Sequence, residues 1–240
     1  MRSRLAPGRQ LRDGLTLLAL MLAVMWALAA IDYVLPAVHG VHDRLGIDGG
    51  IMPRNLDRLW AIFTAPFLHE NFYPHLLDNT IPLAFMGVII AVHGARRLGL
   101  VTLIVIVVSG LGTWLISPVR TDTFGASGLV FGYATYLLAR GLFNRNLIEV
   151  AVGAIVGIVW GGVLAASIGP HAGVSWQDHV CGAIGGVIAA WMLASPRSRS
   201  QRSSDPPGSA GSGAGRAQPG GQAPAGGQDL HDALDRALTR

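Results

Sequence analysis

Apolar residues run along this chain in six blocks, at about 15–36, 73–93, 98–119, 125–143, 147–168 and 176–195, with short polar stretches between them. Each block approaches or reaches the roughly 20 residues that an α-helix needs to cross a hydrocarbon core of about 30 Å, and is too long for a core element of a soluble domain. The pattern predicts an all-α fold, a polytopic membrane protein built as a six-helix bundle. Composition agrees, with 51% hydrophobic and only 13% charged residues.

The N-terminus carries Arg2, Arg4, Arg9 and Arg12 ahead of an apolar run that contains Ala27, Leu28 and Ala29, a pattern shared with cleavable signal peptides. The run stays apolar through Leu35, which favours a first span preceded by a cytoplasmic segment, residues 1–14. The membrane domain is then expected over 15–195. From Pro196 to about Gly227 a mixture of Ser, Gly, Pro, Ala and Arg cannot bury enough apolar surface to offset its ordering entropy, so 196–240 is expected to be a disordered cytoplasmic tail. Within it, Leu230, Ala233, Leu234, Ala237 and Leu238 fall at helical spacing and suggest a short terminal helix.

Charge sets the expected orientation. With six spans, Arg2 to Arg12, Arg96 and Arg97, Arg140 and Arg145, and Arg197, Arg199 and Arg202 all fall on one side, the cytoplasmic one by the positive-inside rule. Arg44, Arg54, Arg58 and Arg120 fall opposite, accompanied by Asp43, Asp48, Asp57, Glu70 and Asp122. Both termini are therefore expected on the cytoplasmic side of the cell membrane. The net charge of +4 comes from arginines in loops and tails that make no basic helical face, so nucleic acid is excluded as a partner. The single cysteine, Cys181, cannot form an internal disulfide or a cysteine-rich metal site and reads as a packing residue.

Polar residues inside apolar blocks must find a partner or do a job. The second span opens with His75 and Asn79, the fourth with Gly125, Ala126, Ser127 and Gly128, and the sixth with Asp178 and His179. Even-numbered spans all enter from the outer face, so the three clusters share one depth, roughly 5 to 10 Å in at 1.5 Å per residue. Singly, such residues are often ordinary hydrogen-bonding glue between helices. At one depth they make one candidate site.

Ser127 and His179 fit a nucleophile and its base, since a serine hydroxyl is weak until an imidazole takes its proton. Gly128 and Gly132, and Gly182 and Gly186, are small-xxx-small pairs that let the fourth and sixth helices approach, and the second pair shares the face of His179. His75 and Asn79 lie one turn apart and can donate to an oxyanion, with the Ser127 backbone N–H at a helix N-terminus as a third donor. Asp178 should not orient the neighbouring ring, because adjacent helical residues point about 100° apart, so a dyad is expected rather than a triad. Asp78 either holds His75 or faces a water-filled vestibule. His69 and Glu70 begin a zinc-type motif that fails at Tyr73, where a second histidine is required; no metal and no other cofactor is expected.

Together these residues resemble the rhomboid family of intramembrane serine proteases. The resemblance covers about residues 15–195 and rests on His75 and Asn79, on Gly125 to Gly128, and on His179 followed by Gly182 and Gly186. It implies a six-helix rhomboid-like bundle with a water-filled cavity open to the outside, where a Ser-His dyad cuts single-span membrane proteins through an acyl-enzyme. It also implies that Trp60 to Pro74 form a membrane-embedded loop and that Phe131 stacks on the catalytic histidine. The substrates would be transmembrane proteins in the lipid bilayer; the oligomeric state stays open. Three positions depart from the family pattern: Ala61 after Trp60, His93 near the end of the second span, and Asp78. The rival readings are a rhomboid-like protein that binds membrane helices without cutting them, and a small transporter. The inner halves of the clustered spans are almost wholly apolar, which argues against a permeation path.

Overall fold

The computed structural model describes residues 7–34, 50–69, 75–169 and 173–194. These belong to one compact unit, Met1–Ser195; Pro196–Arg240 form a second unit, and the tail and terminal helix expected there lie outside the described residues. Six long helices follow one another: α1 Pro7–Val34, α2 His75–Ala91, α3 Ala95–Ile116, α4 Ser127–Asn144, α5 Leu147–Ala166 and α6 Trp176–Met192. Between α1 and α2 come a 3-10 turn, Leu56–Arg58, a one-turn helix, Ala61–Thr64, and a second 3-10 turn, Ala65–Phe67. Among the described residues, only an isolated bridge between Ile51 and Thr123 is extended pairing.

Helix α1 begins well before the apolar block does. Pro7 is pre-set for a first helical turn, and the charged Arg9, Arg12 and Asp13 simply continue that helix out of the apolar region. Three stretches are long and apolar enough to cross a membrane by length and composition: Gly8–Ile31, Ala95–Ile116 and Leu147–Ala166. The other three helices have 17, 18 and 17 residues, about 26 Å at 1.5 Å per residue. They are the ones that open with polar clusters.

Helix α4 is the centre of the bundle. Its Tyr133 and Tyr136 are fully buried, and Tyr133 shares a 2.6 Å hydrogen bond with Thr102 of α3, which satisfies a hydroxyl that has no water to reach. Against α6 the packing is backbone to backbone. A methyl carbon added to Gly182 would meet the Gly128 carbonyl, and one added to Gly186 would meet the carbonyl of Gly132 and the hydroxyl of Thr135. Thr135 also donates to the Ala183 carbonyl across that interface at 2.8 Å. Cys181 is buried and packs its sulfur over Gly112 of α3. Helix α5 meets α4 at Gly141 and Gly153 and is otherwise largely exposed, as suits a lipid-facing span.

Across the turn between α4 and α5, the buried Arg140 of α4 donates from Nη2 to Glu149 Oε1 of α5 at 2.8 Å, while Asn144 Nδ2 donates to Glu149 Oε2 at 2.7 Å. Asn146 caps α5 by accepting from the N–H groups of Ile148 and Glu149.

The segment before α2 is tied to the end of α3 by Arg54. Its guanidinium donates to the carbonyls of Leu115 at 2.8 Å and Ser117 at 3.0 Å, two of the groups a helix C-terminus leaves without intrahelical donors. Its backbone N–H donates to Trp114, and the Trp114 indole donates to the Asn55 carbonyl at 3.0 Å. Arg54 adopts φ of 59°, a left-handed conformation disfavoured for a residue with a Cβ. Arg54→Ala is therefore expected to cost about 1 kcal/mol through the lost hydrogen bonds. Arg54→Gly, which relieves the backbone, should cost less. Thermal melting of the two variants in one detergent checks the order, and an equal or reversed order would count against the cap.

Candidate active site

A cavity of about 1410 Å³ opens among α2, α4, α5 and α6, and its lining includes His75, Asp78, Asn79, Ser127, Phe131 and His179. The three clusters singled out from sequence therefore face one space. Asp78 lines the cavity together with Pro82, which lacks an N–H and so leaves the Asp78 carbonyl without its intrahelical donor. A carbonyl deprived of that donor is tolerable at this depth where it lines a wet cavity rather than lipid.

Ser127 is the first residue of α4 and half-buried. The preceding Ala126 offers no side-chain cap, so the first-turn N–H groups of α4 have no acceptor within their own helix. Gly125 makes the sharp entry to this helix: its φ is +112°, its N–H donates to the Ala65 carbonyl at 2.9 Å, and a Cβ there would stand 3.2 Å from His75 Cε1. A side chain at 125 would meet both backbone strain and the imidazole. Gly125 and Ala126 thus serve through their backbone.

His179 is buried on α6, and its ring lies parallel to that of Phe131, with centroids 4.3 Å apart and planes 12° apart. Phe131 is one turn after Ser127, so the stacking places the imidazole beside the N-terminal turn of α4. The other constraint on the ring is a 2.7 Å hydrogen bond between Nδ1 and the Ser167 carbonyl at the end of α5. A carbonyl only accepts, so Nδ1 carries the proton and the neutral ring presents Nε2 as a lone pair. No side-chain pattern in the sequence marks a backbone oxygen in this role.

His69 is another residue that sequence reasoning placed elsewhere. Its companions in the zinc-type motif, Glu70 and Tyr73, lie outside the described residues, and its own ring is 2% exposed against the site. The Ala126 N–H donates to His69 Nε2 at 3.4 Å, and Asn79 Nδ2 faces the same nitrogen at 3.3 Å. Two donors on Nε2 put the ring proton on Nδ1. Burial, with the His75 imidazole adding, pulls the His69 pKa down to about 4, so the ring is neutral at physiological pH. Asn79 Nδ2 also donates to the His75 carbonyl at 3.1 Å. Its amide protons are thus directed at groups of the protein itself.

Asp178 and His179, though adjacent, diverge. The Asp178 carboxylate turns away from the cavity toward Ser109 and Thr113 of α3. Among the described residues, no three His, Cys, Asp or Glu side chains converge as a metal set.

Fold and cavity define a polytopic helical membrane protein whose polar groups gather at one end of three spans. The family model for the Rhomboid domain matches residues 56–196. A protein of Mycobacterium leprae that carries no functional name is 39% identical over 206 residues, 81% of this chain and 78% of its own. A Mycobacterium tuberculosis relative, likewise without a functional name, is 42% identical over 166 residues, 66% of this chain and 68% of its own. Rhomboid protease GluP of Bacillus subtilis is 29% identical over 142 residues, 58% of this chain and 27% of its own. The chain belongs to the rhomboid family.

Proposed function

We propose that this chain is an intramembrane serine endopeptidase that cleaves single-span membrane proteins near the outer face of a bacterial cell membrane, with both termini cytoplasmic. One observation carries the reading: Ser127 and His179 line the same cavity while the Ser167 carbonyl leaves Nε2 of the imidazole free to accept a proton. In the proposed reaction Ser127 Oγ attacks the scissile carbonyl carbon and its proton passes to His179 Nε2. The imidazolium then protonates the leaving amine, and water admitted by the cavity hydrolyses the ester, giving back the serine. Nδ1–H stays on the Ser167 carbonyl throughout and keeps the ring aimed.

The oxyanion would be received by donors at the second and fourth spans. The Ser127 N–H, in the uncapped first turn of α4, supports this role. Asn79 contributes by exchanging its contact with His69 for one with substrate, and His75, whose ring stands against Gly125, contributes an imidazole N–H. Gly128, Gly182 and Gly186 serve by closing the α4–α6 contact.

The test is a fluorophosphonate probe and a single-span reporter applied to the purified chain, to Ser127→Ala and to His179→Ala. Labelling and cleavage are expected for the native chain alone. Cleavage that survives in Ser127→Ala would point to another nucleophile. A native chain that binds the reporter and neither labels nor cuts would be a non-catalytic helix-binding member of the family.

A further inference from the structure

Asp178 has no part in that reaction, yet it is 6% exposed and sits between the two helices that carry it out. The Ser109 hydroxyl donates to Asp178 Oδ1 and lies 3.3 Å from the Asp178 carbonyl oxygen, and Thr113 Oγ1 approaches Oδ1 at 3.4 Å. Ser109 and Thr113 are one turn apart on α3, so both present to the same side. On the other side the carboxylate packs against the backbone of Gly128 in the first turn of α4. A Cβ on Gly128 would stand 2.5 and 2.7 Å from the carboxylate oxygens, so nothing larger than glycine fits between them.

Asp178 is also held from behind. Its own N–H donates to Ser175 Oγ, the N-cap of α6, at 3.4 Å. In the usual capping box the acid three residues after the cap reaches back to the cap's N–H. Here it reaches across to α3 and α4 instead. A carboxylate at this place lies at two helix N-termini at once, that of α6 and that of α4, where a negative charge is favoured.

We propose that Asp178 is a positioning residue that clasps α3 and the first turn of α4 to α6 and so sets the register of Ser127 against His179. The two reacting groups flank its anchor points, since Ser127 precedes Gly128 and His179 follows Asp178. The inference rests on the reading of Ser127 and His179 as the dyad. A misplacement of about 1 Å between reacting groups lowers a rate by roughly a hundredfold, while a substrate held by the rest of the cavity still binds. Loss of the clasp therefore lowers kcat and leaves KM nearly alone.

The experiment uses the full chain in one detergent or liposome preparation, as native, Asp178→Ala, Asp178→Asn and Ser109→Ala/Thr113→Val. Fluorophosphonate labelling rate, kcat per labelled site and KM for the single-span reporter are measured well below the Tm of each variant. Asp178→Ala is expected to lower labelling rate and kcat together, about 10- to 100-fold, with KM within about twofold. Asp178→Asn, which keeps one acceptor, should fall between, and adding Ser109→Ala/Thr113→Val to Asp178→Ala should lower the rates little further. A merely structural role would lower Tm and the labelled fraction but not kcat per labelled site.

Native rates in a folded Asp178→Ala overturn the proposal and leave the dyad reading intact. If Asp178→Ala does not fold, native rates in both Asp178→Asn and Ser109→Ala/Thr113→Val overturn it. A native chain that neither labels nor cuts overturns the dyad reading and this inference together.

Discussion

Gly182→Val is expected to abolish reporter cleavage and probe labelling and to lower Tm. At Gly182 even a first carbon would press on the Gly128 carbonyl group and stand 2.9 and 3.0 Å from its carbon and Cα. These are backbone atoms in the first turn of α4, next to Ser127, and no rotamer change moves them away. Forcing extra carbons into a close-packed contact costs about 1–3 kcal/mol, occasionally more, and the relief available here is separation of α4 from α6. That separation carries Ser127 away from His179. Gly161→Ala and Gly162→Ala on α5 are the controls, because a Cβ at either position meets nothing within 4 Å. Both should keep native activity and Tm. A fully active Gly182→Val would show that the α4–α6 contact does not set the site.

The second large effect is expected far from the cavity. Glu149→Ala leaves Arg140 without its carboxylate, in a place where its side chain is 8% exposed. Breaking a buried ion pair by removing one member costs about 3–5 kcal/mol, because the remaining charge stays desolvated. The Asn144 amide loses its acceptor as well. Replacing both members by apolar residues, as in Arg140→Met/Glu149→Leu, should recover much of the loss. Thermal or denaturant unfolding of the single and double variants measures this, and equal stability of native chain and Glu149→Ala would mean the pair contributes little.

The spans and their polar clusters were legible because hydropathy and residue type are properties of short stretches. Ser127, His75 and His179 stood out as polar residues in apolar blocks, and the depth they share follows from counting helices. Contacts that join distant segments through ordinary groups were not legible. Arg54 served only as a charge to be counted, whereas it caps a helix that ends some 60 residues later. His69 read as half of an incomplete metal motif, and its use as a hydrogen-bond acceptor for Asn79 and Ala126 depends on a loop path that no periodicity encodes.

Ser109 and Thr113 did carry a signal. They are polar, one turn apart, in an otherwise apolar block, the same kind of oddity that drew attention to His75 and Asn79. Their hydroxyls can bond back to their own helix, so they ask for no partner as urgently as a ring or a carboxylate does. The start of α1 was missed for the opposite reason. Hydropathy marks where lipid begins, and a helix has no need to begin there.

The link from Nδ1 of His179 to a main-chain oxygen has an evolutionary corollary. No point substitution deletes a peptide carbonyl, so residue 167 is free to drift among types that keep the helix end intact. An insertion or deletion between 167 and 176 is another matter, since it would shift that oxygen relative to the ring. Across descendants of this sequence, the connection there should vary in composition far more readily than in length.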